Sequence, residues 1–276
     1  MVEMLDKLTK SQEAIVRDLG LGSILALKCT DIPTPLVLLL ATYYDPTSRS
    51  VKLPNGASFR IDAITSHLVL GIPYGGIKVP TKSSNRAKAV ILKDTNQSSQ
   101  AAKLGDLMSM INRDLEGDKF ARIFMLIVLG IFLCPSSSSR VSHRYYEAIS
   151  VVSNIKAYDW SSAVADCLHN GILSFHSNTC KGNITGKATL SGCLFILVVR
   201  SFSSIFSSCS PILIYTHMLP FLSIFILFSL FFLRRLHTLI TLSSSTPMLS
   251  RQSLGFVFGM TRPLLRTIKV IHPLNR

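Results

Sequence analysis

Residues 118–135, DKFARIFMLIVLGIFLCP, decide the fold class. The two basic residues lie near the start of this stretch, and the run from Ile123 to Cys134 carries no charge. These twelve residues are too few to cross a bilayer, which takes about 20. An apolar helix of this length is typical of the centre of a globular helical core. The stretch therefore predicts a mainly α-helical protein.

The segments around this core helix also predict short helices. Their apolar residues recur at helical spacing, and some are bounded by capping or breaking residues such as Asp62, Gly71 and Pro73. The predicted helices cover residues 4–19, 35–45, 62–70, 101–117, 141–155 and 158–175.

Two segments predict other structures. Residues 50–61, SVKLPNGASFRI, place Pro-Asn-Gly between two short alternating runs, which predicts a β-hairpin. Residues 80–100 are polar and basic, and they predict a mobile linker. The expected architecture is an irregular helical domain with at most a small β-hairpin, followed by a C-terminal hydrophobic helix.

The charge distribution sets the end of the chain apart. Residues 167–276 hold 10 of the 29 Lys and Arg and none of the 15 Asp and Glu. Their basic residues are scattered among apolar residues and serines, whereas a nucleic-acid surface clusters basic residues on one face, so this tail is a poor match to a nucleic-acid surface.

We divide the chain into three regions. They are residues 1–35, an N-terminal helix and lead-in, residues 36–198, a helical region, and residues 199–276, a hydrophobic tail without acids.

The six cysteines form no CxxC pair. Cys167, Cys180 and Cys193 recur every thirteen residues, but a zinc site usually brings two ligands together within two to four residues. The N-terminus does not resemble a secretory signal, so a disulfide framework is not expected either. We predict reduced, mostly buried thiols and no metal site.

Several longer stretches carry a family resemblance. They are FRIDAITSHLVLGIPYGGIKV (59–79), FARIFMLIVLGIFLCPSSSSRVSHRYYEAISVVSNIKAYDWSSAVADCLHNGI (120–172) and SGCLFIL (191–197). Their landmarks are the LGIP-GG turn, the LGIFLCP helix end, and Tyr158 and Trp160 before the next helix. Over roughly residues 36–197 the chain resembles the plant mobile domain, a transposon-derived module also called aminotransferase-like.

That resemblance implies a helical nuclear module, linked in some members to silencing and genome maintenance, and with it an association with nucleic acid or chromatin. It does not imply a cofactor here, because no Schiff-base lysine with a phosphate-binding loop and a pyridinium-facing acid can be identified. No Cys, His and Asp protease set is found either. We therefore expect no enzyme activity, no catalytic residues and no cofactor-binding residues.

Some local patterns resemble functional motifs. GNITGKAT (182–189) is one residue too short between its glycines for a P-loop, and Ala188 replaces the hydroxyl that binds Mg²⁺. GIPYGGIK (71–78) is interpreted as a structural turn rather than an anion site. Asn96 and Asn183 begin glycosylation sequons that matter only in a secreted chain. Packing roles are predicted for His67, Arg144, Tyr145 and Trp160.

The tail admits two interpretations. Pro211 to Leu233 is a run of 23 residues without a charge, followed by Arg234 and Arg235, as expected of a transmembrane helix inserted in a lipid bilayer. From Arg200 to Leu254, however, Val, Ala, Gly, Asp and Glu are all absent. These are the amino acids whose codons begin with G, so we favour a translated intron that begins near Val199.

Two functional hypotheses follow from different classes of protein. The first is a non-enzymatic, transposon-derived nuclear module of unknown biochemistry. The second is a single-pass membrane protein anchored by residues 211–233.

Overall fold

The computed structural model describes residues 1–29, 31–54, 56–136, 138–180 and 190–207. One compact unit comprises Met1–Gly182 and Ala188–Cys209; the other, Asn183–Lys187 with Ser210–Arg276, lies outside the described residues. The prediction of a mainly α-helical fold is confirmed. The α-helices are α1 Val2–Leu5, α2 Lys10–Asp18, α3 Thr34–Thr42, α4 Ala63–Leu70, α5 Asn85–Asp94, α6 Leu104–Met110, α7 Gly117–Val128, α8 Tyr146–Ser150, α9 Trp160–Cys180 and α10 Leu194–Ser207.

The core is built around α7, as residues 118–135 predict. Every residue from Ile123 to Leu129 is at most 1% exposed. The helix continues into a single wider π-helical turn, Leu129–Leu133, before Pro135. A second buried centre is Trp160 at the start of α9, which is fully buried and donates its indole N–H to the Ile155 carbonyl over 2.8 Å. The prediction that Trp160 anchors the core is confirmed.

The β-structure is larger than the expected hairpin. Strands β1 Tyr44–Asp45, β2 Ser50–Lys52 and β3 Ser58–Arg60 form a three-stranded antiparallel sheet in the order β1-β2-β3. The predicted hairpin is β2–β3, but β1 comes from the end of the segment predicted as a helix. The helix ends at Thr42, and Asp45 at the end of β1 accepts hydrogen bonds from the Thr47 amide and the Ser48 hydroxyl, which turns the chain towards β2.

The first predicted helix is replaced by two helices, α1 and α2. The prediction of a continuous helix over residues 4–19 is wrong because Thr9 caps the start of a new helix. Its hydroxyl accepts from the Gln12 amide over 3.2 Å while the Gln12 side chain accepts from the Thr9 amide over 3.0 Å, a reciprocal capping box. Gln12 is itself 1% exposed and bonds the carbonyls of Asn112 and Leu115.

The segment predicted as a mobile linker contains α5. Ala87 and Ile91, one turn apart, are 2% and 0% exposed, so this short helix buries one face. Asp94 at its end pairs with Arg122 of α7 over 2.6 Å. The prediction was wrong because the burial comes from partners distant in the sequence, and the segment's polar composition does not reveal them.

Residues 141–155 do not form the single helix that their spacing predicts. A 3₁₀ turn, His143–Tyr145, precedes α8, and a second, Val152–Ala157, follows it. The predicted N-cap Asp62 and the stop at Gly71 are confirmed for α4: Asp62 accepts from the Thr65 amide over 2.8 Å, and Gly71 has φ +61°.

The last described helix, α10, runs through the position where the tail was expected to begin. It packs on α3, α4 and β3, and Ser201 is only 2% exposed. The predicted hydrophobic helix at 211–233 lies outside the described residues. Within the part of the chain that the structure describes, no helix has the length and apolarity needed to cross a membrane.

Candidate anion-binding site

The start of α5 is fixed to α8 by polar contacts. Ser84 caps α5, since its hydroxyl accepts from the Ala87 amide over 3.2 Å. The Ser83 hydroxyl donates to the His143 carbonyl over 2.6 Å and accepts from the Glu147 amide over 3.1 Å. The Glu147 carboxylate accepts from the Ser84 amide over 2.8 Å. Residues 83–84 are thereby held against residues 143–147.

A basic pocket forms where these segments meet. It is an open depression of about 330 Å³, and we call it the basic pocket. Its lining combines basic side chains with two hydroxyl residues and contains no carboxylate: Thr81, Lys82, Ser83, Lys88, His143 and Arg144.

The positive charge of the basic pocket is not neutralised by ion pairs. Within the described residues, Lys82, Lys88 and Arg144 have no acidic partner. The cations that do form ion pairs there are Arg17, Lys28, Arg49, Lys52, Arg60 and Arg122. Glu147 lies beside the pocket as a carboxylate whose pKa is lowered by hydrogen bonds from Ser84, but it does not line the pocket or form an ion pair with the three cations of the pocket. The pocket can therefore bind an anion, with the Thr81 hydroxyl beside the cations.

A second depression, about 430 Å³, lies at the GIPYGG turn. We call it the glycine-loop pocket. His67 Nδ1 bonds the Ile72 carbonyl over 2.7 Å. The Ile77 amide donates to the Ala157 carbonyl over 2.9 Å, and the Ser161 amide donates to the Pro73 carbonyl over 3.0 Å. These contacts use the polar groups of the turn to fix it to the start of α9, in keeping with the structural role expected from the sequence.

A polar cluster joins the sheet to α9. The Tyr44 hydroxyl bonds His169 Nδ1, and Arg49 pairs with Asp166 over 2.8 Å. Burial, followed by the charge of Arg49, lowers the pKa of His169. The Tyr44 side chain is buried. These contacts join the sheet region to α9, and none of the four residues lines either pocket.

The thiols are less buried than expected. Of the four whose side chains the structure describes, Cys193 is buried, while Cys29, Cys134 and Cys167 are partly exposed. No group of three or more His, Cys, Asp or Glu that could hold a metal is found among the described residues. The P-loop-like residues 182–189, Asn183 and Cys209 lie outside the described part of the chain.

The residues singled out from sequence are spread over the molecule. Tyr145 is 5% exposed and packs near Trp160, as expected of a packing residue. His67 and Arg144 are exposed. Asn96 has φ +54° and follows α5. The structure places Arg144 in the basic pocket and His67 in the glycine-loop pocket.

Sequence reasoning missed the basic pocket. The available signal was the density of Lys and Arg within residues 80–100, which was interpreted as a linker. Arg144 lies more than 50 residues further on, so only the packing of α5 on α8 reveals that these charges converge.

Comparison with known proteins gives one match. Residues 1–198 match the family model described as a domain of unknown function, DUF8566. No curated protein and no solved structure matches the chain. Because the match covers well over half of its length, the chain belongs to the DUF8566 family.

Proposed function

We propose that the chain is a non-enzymatic nuclear module that associates with nucleic acid through the basic pocket. The nuclear assignment and the transposon origin rest on the resemblance to the plant mobile domain. The observation that supports nucleic acid as the partner is the convergence of Lys82, Lys88 and Arg144 without an acidic partner among the described residues. Cations in this arrangement bind phosphates and release counterions.

The pocket suits contact with a phosphate backbone better than recognition of a base. It is open, and the donors left for a ligand are ammonium and guanidinium groups and the Thr81 hydroxyl. Such groups position a nucleic acid by its phosphates without reading its sequence. The proposed module therefore binds duplexes of different sequence with similar affinity, and its affinity falls as salt rises.

Fluorescence anisotropy with a labelled DNA duplex tests this binding mode. The full chain carrying both Lys82→Gln and Lys88→Gln should bind with a Kd at least about fivefold higher, and the salt slope should fall by about 2. The matched control is the double variant Lys7→Gln and Lys10→Gln, which removes the same charge from exposed residues outside the pocket. Equal effects of the two pairs, or no binding by the unmodified chain, would contradict the proposal.

Nuclear residence is tested separately. A fluorescently tagged chain ending at Ser207 should accumulate in the nucleus of a plant cell. Exclusion of that fragment from the nucleus would contradict the nuclear assignment, whatever the result of the DNA-binding experiment.

A second candidate function is supported by the 23 charge-free residues from Pro211 to Leu233. A run of that length is long enough to span a bilayer. Under this candidate, the full chain pellets with membranes and stays there after alkaline carbonate extraction. Release by carbonate would contradict it.

A further inference from the structure

Three separate segments of the chain meet beside the end of α7. The Gly192 amide donates to the Pro135 carbonyl over 3.4 Å. Gly192 has φ +99°, and a Cβ on it would lie 2.5 Å from the Leu168 Cα, so the two backbones are in direct contact. A cysteine directly adjoins each of these three residues, and the contacts therefore bring together Cys134, Cys167 and Cys193.

Ring packing supports the same convergence. Phe132 and Phe195 have ring centroids 5.8 Å apart, so the segment that carries Cys134 also packs against the start of α10. The recurrence of cysteines every thirteen residues does not predict this arrangement, because Cys134 lies outside that series.

Two of the three thiols influence each other's acidity. Cys134 and Cys167 lie close enough for each to shift the pKa of the other, and Tyr145 contributes to both shifts. The Arg144 guanidinium carbon lies 5.4 Å from the centre of the Tyr145 ring. A sulfur with a thiol donor, a hydroxyl donor and a cation nearby is well placed to exist as a thiolate.

The thiols differ in acidity and access. The hydrogen bond from Cys134 lowers the pKa of Cys167, with smaller contributions from Arg144 and Tyr145, although burial acts in the opposite direction. Burial raises the pKa of Cys193 to about 12, and the interaction with Cys167, together with burial, raises the pKa of Cys134. The residues Cys134 and Cys167 each keep some exposed surface, whereas Cys193 is 1% exposed. Among these three, Cys167 is therefore the residue that combines a lowered thiol pKa with partial exposure.

We propose that Cys134 and Cys167 are a peroxide-oxidised thiol pair, in which Cys167 is attacked first and Cys134 resolves it into a disulfide. The Cys167 thiolate attacks one oxygen of hydrogen peroxide, whose O–O bond breaks, giving a sulfenic acid and hydroxide. The Cys134 sulfur then attacks the Cys167 sulfur and loses its proton, and water leaves. Peroxide is reduced by two electrons and the two thiols are oxidised to one disulfide.

Peptide mapping of the full chain tests the pair. The reduced protein is treated with hydrogen peroxide at pH 7, alkylated with iodoacetamide, digested and analysed by mass spectrometry. The expected result is loss of labelling at Cys134 and Cys167 and a cross-linked peptide containing both, about 2 Da lighter than its two thiol peptides combined. Continued labelling of both, or cross-linking of Cys167 to a different cysteine, would overturn the proposal.

Variants assign the order of events. Cys134→Ser should leave a sulfenic acid at Cys167 that dimedone traps, whereas Cys167→Ser should leave Cys134 fully labelled. Cys29→Ser is the matched control, since Cys29 is a partly exposed thiol whose pKa burial raises, and it should form the same cross-link as the unmodified chain. Dimedone trapping at Cys134 in Cys167→Ser would reverse the assigned roles. Circular dichroism checks the fold of each variant, and the mapping of the unmodified chain does not depend on any of them.

Discussion

The two pockets of this protein use their polar groups differently. In the glycine-loop pocket, His67 and the backbone of residues 72–77 form hydrogen bonds that fix the turn to the start of α9. In the basic pocket, Ser83 and Glu147 hold the frame, and the cations remain unpaired within the described residues. Polar groups of the glycine-loop pocket are thus used in contacts within the fold, whereas the basic pocket has charge available for a ligand.

The largest expected effect concerns the frame of the basic pocket. Arg122→Ala leaves Asp94 of α5 as a carboxylate only 15% exposed and without its partner. We expect the free energy of unfolding to fall by about 3–5 kcal/mol, because an uncompensated buried charge is costly. Urea denaturation measures this change.

Arg17→Ala is the control for that prediction. Arg17 pairs with Glu13 one turn away, but its side chain is 58% exposed, so its loss should change stability by no more than about 0.5 kcal/mol. Equal losses from Arg122→Ala and Arg17→Ala would show that α5 is not held by the buried pair.

The next effect concerns the glycine-loop pocket. Gly76 has φ +89°, and a Cβ on it would lie 2.4 Å from the Ala157 carbonyl oxygen. Gly76→Ala should lower the free energy of unfolding by about 2–4 kcal/mol through backbone strain and steric overlap. Gly75 has a similar φ of +76°, but a Cβ on it would have no atom within 4 Å. Gly75→Ala should therefore lower the free energy of unfolding by only about 1–2 kcal/mol. If the two alanine variants unfold at the same urea concentration, the close contact with Ala157 is not restrictive.

A smaller effect should follow from Ser83→Ala, which removes both hydrogen bonds of the Ser83 hydroxyl. We expect a loss of about 1–2 kcal/mol and weaker DNA binding, because residues 81–83 line the pocket. Ser109→Ala, which removes one local bond to the Asp106 carbonyl, should leave DNA binding unchanged. DNA binding by Ser83→Ala equal to that of Ser109→Ala would contradict a role for this frame.

The smallest effect is pH-dependent. The Ser84 hydrogen bonds lower the pKa of Glu147 in the folded state. A depressed carboxyl pKa stabilises the protein above the unfolded value, near 4.3, and this contribution is lost as pH falls through the folded value. Glu147→Gln should therefore be slightly less stable than the unmodified chain at pH 7, and the difference should shrink as the pH falls below the unfolded value and vanish below the lowered pKa of the folded state. A difference that persists at low pH would contradict this origin.

Sequence patterns predicted the parts of the fold that are determined by residues close together in the chain. The apolar run of α7, the cap at Asp62 and the anchor at Trp160 each carry their signal within a few residues. The ordering of α5 does not, because Asp94 depends on Arg122 and Ser84 depends on Glu147. The basic pocket and the thiol cluster were missed for the same reason, since both require residues that only the tertiary packing brings together.

The continuity of α10 has a practical consequence for the boundaries of a stable fragment. The family match ends at residue 198, four residues after Leu194 begins the helix. A chain cut there would lose Ser201, which is 2% exposed and whose hydroxyl bonds the Val198 carbonyl over 2.8 Å. A soluble fragment for crystallisation or NMR should therefore extend to Ser207, so that the whole helix covers α3 and α4.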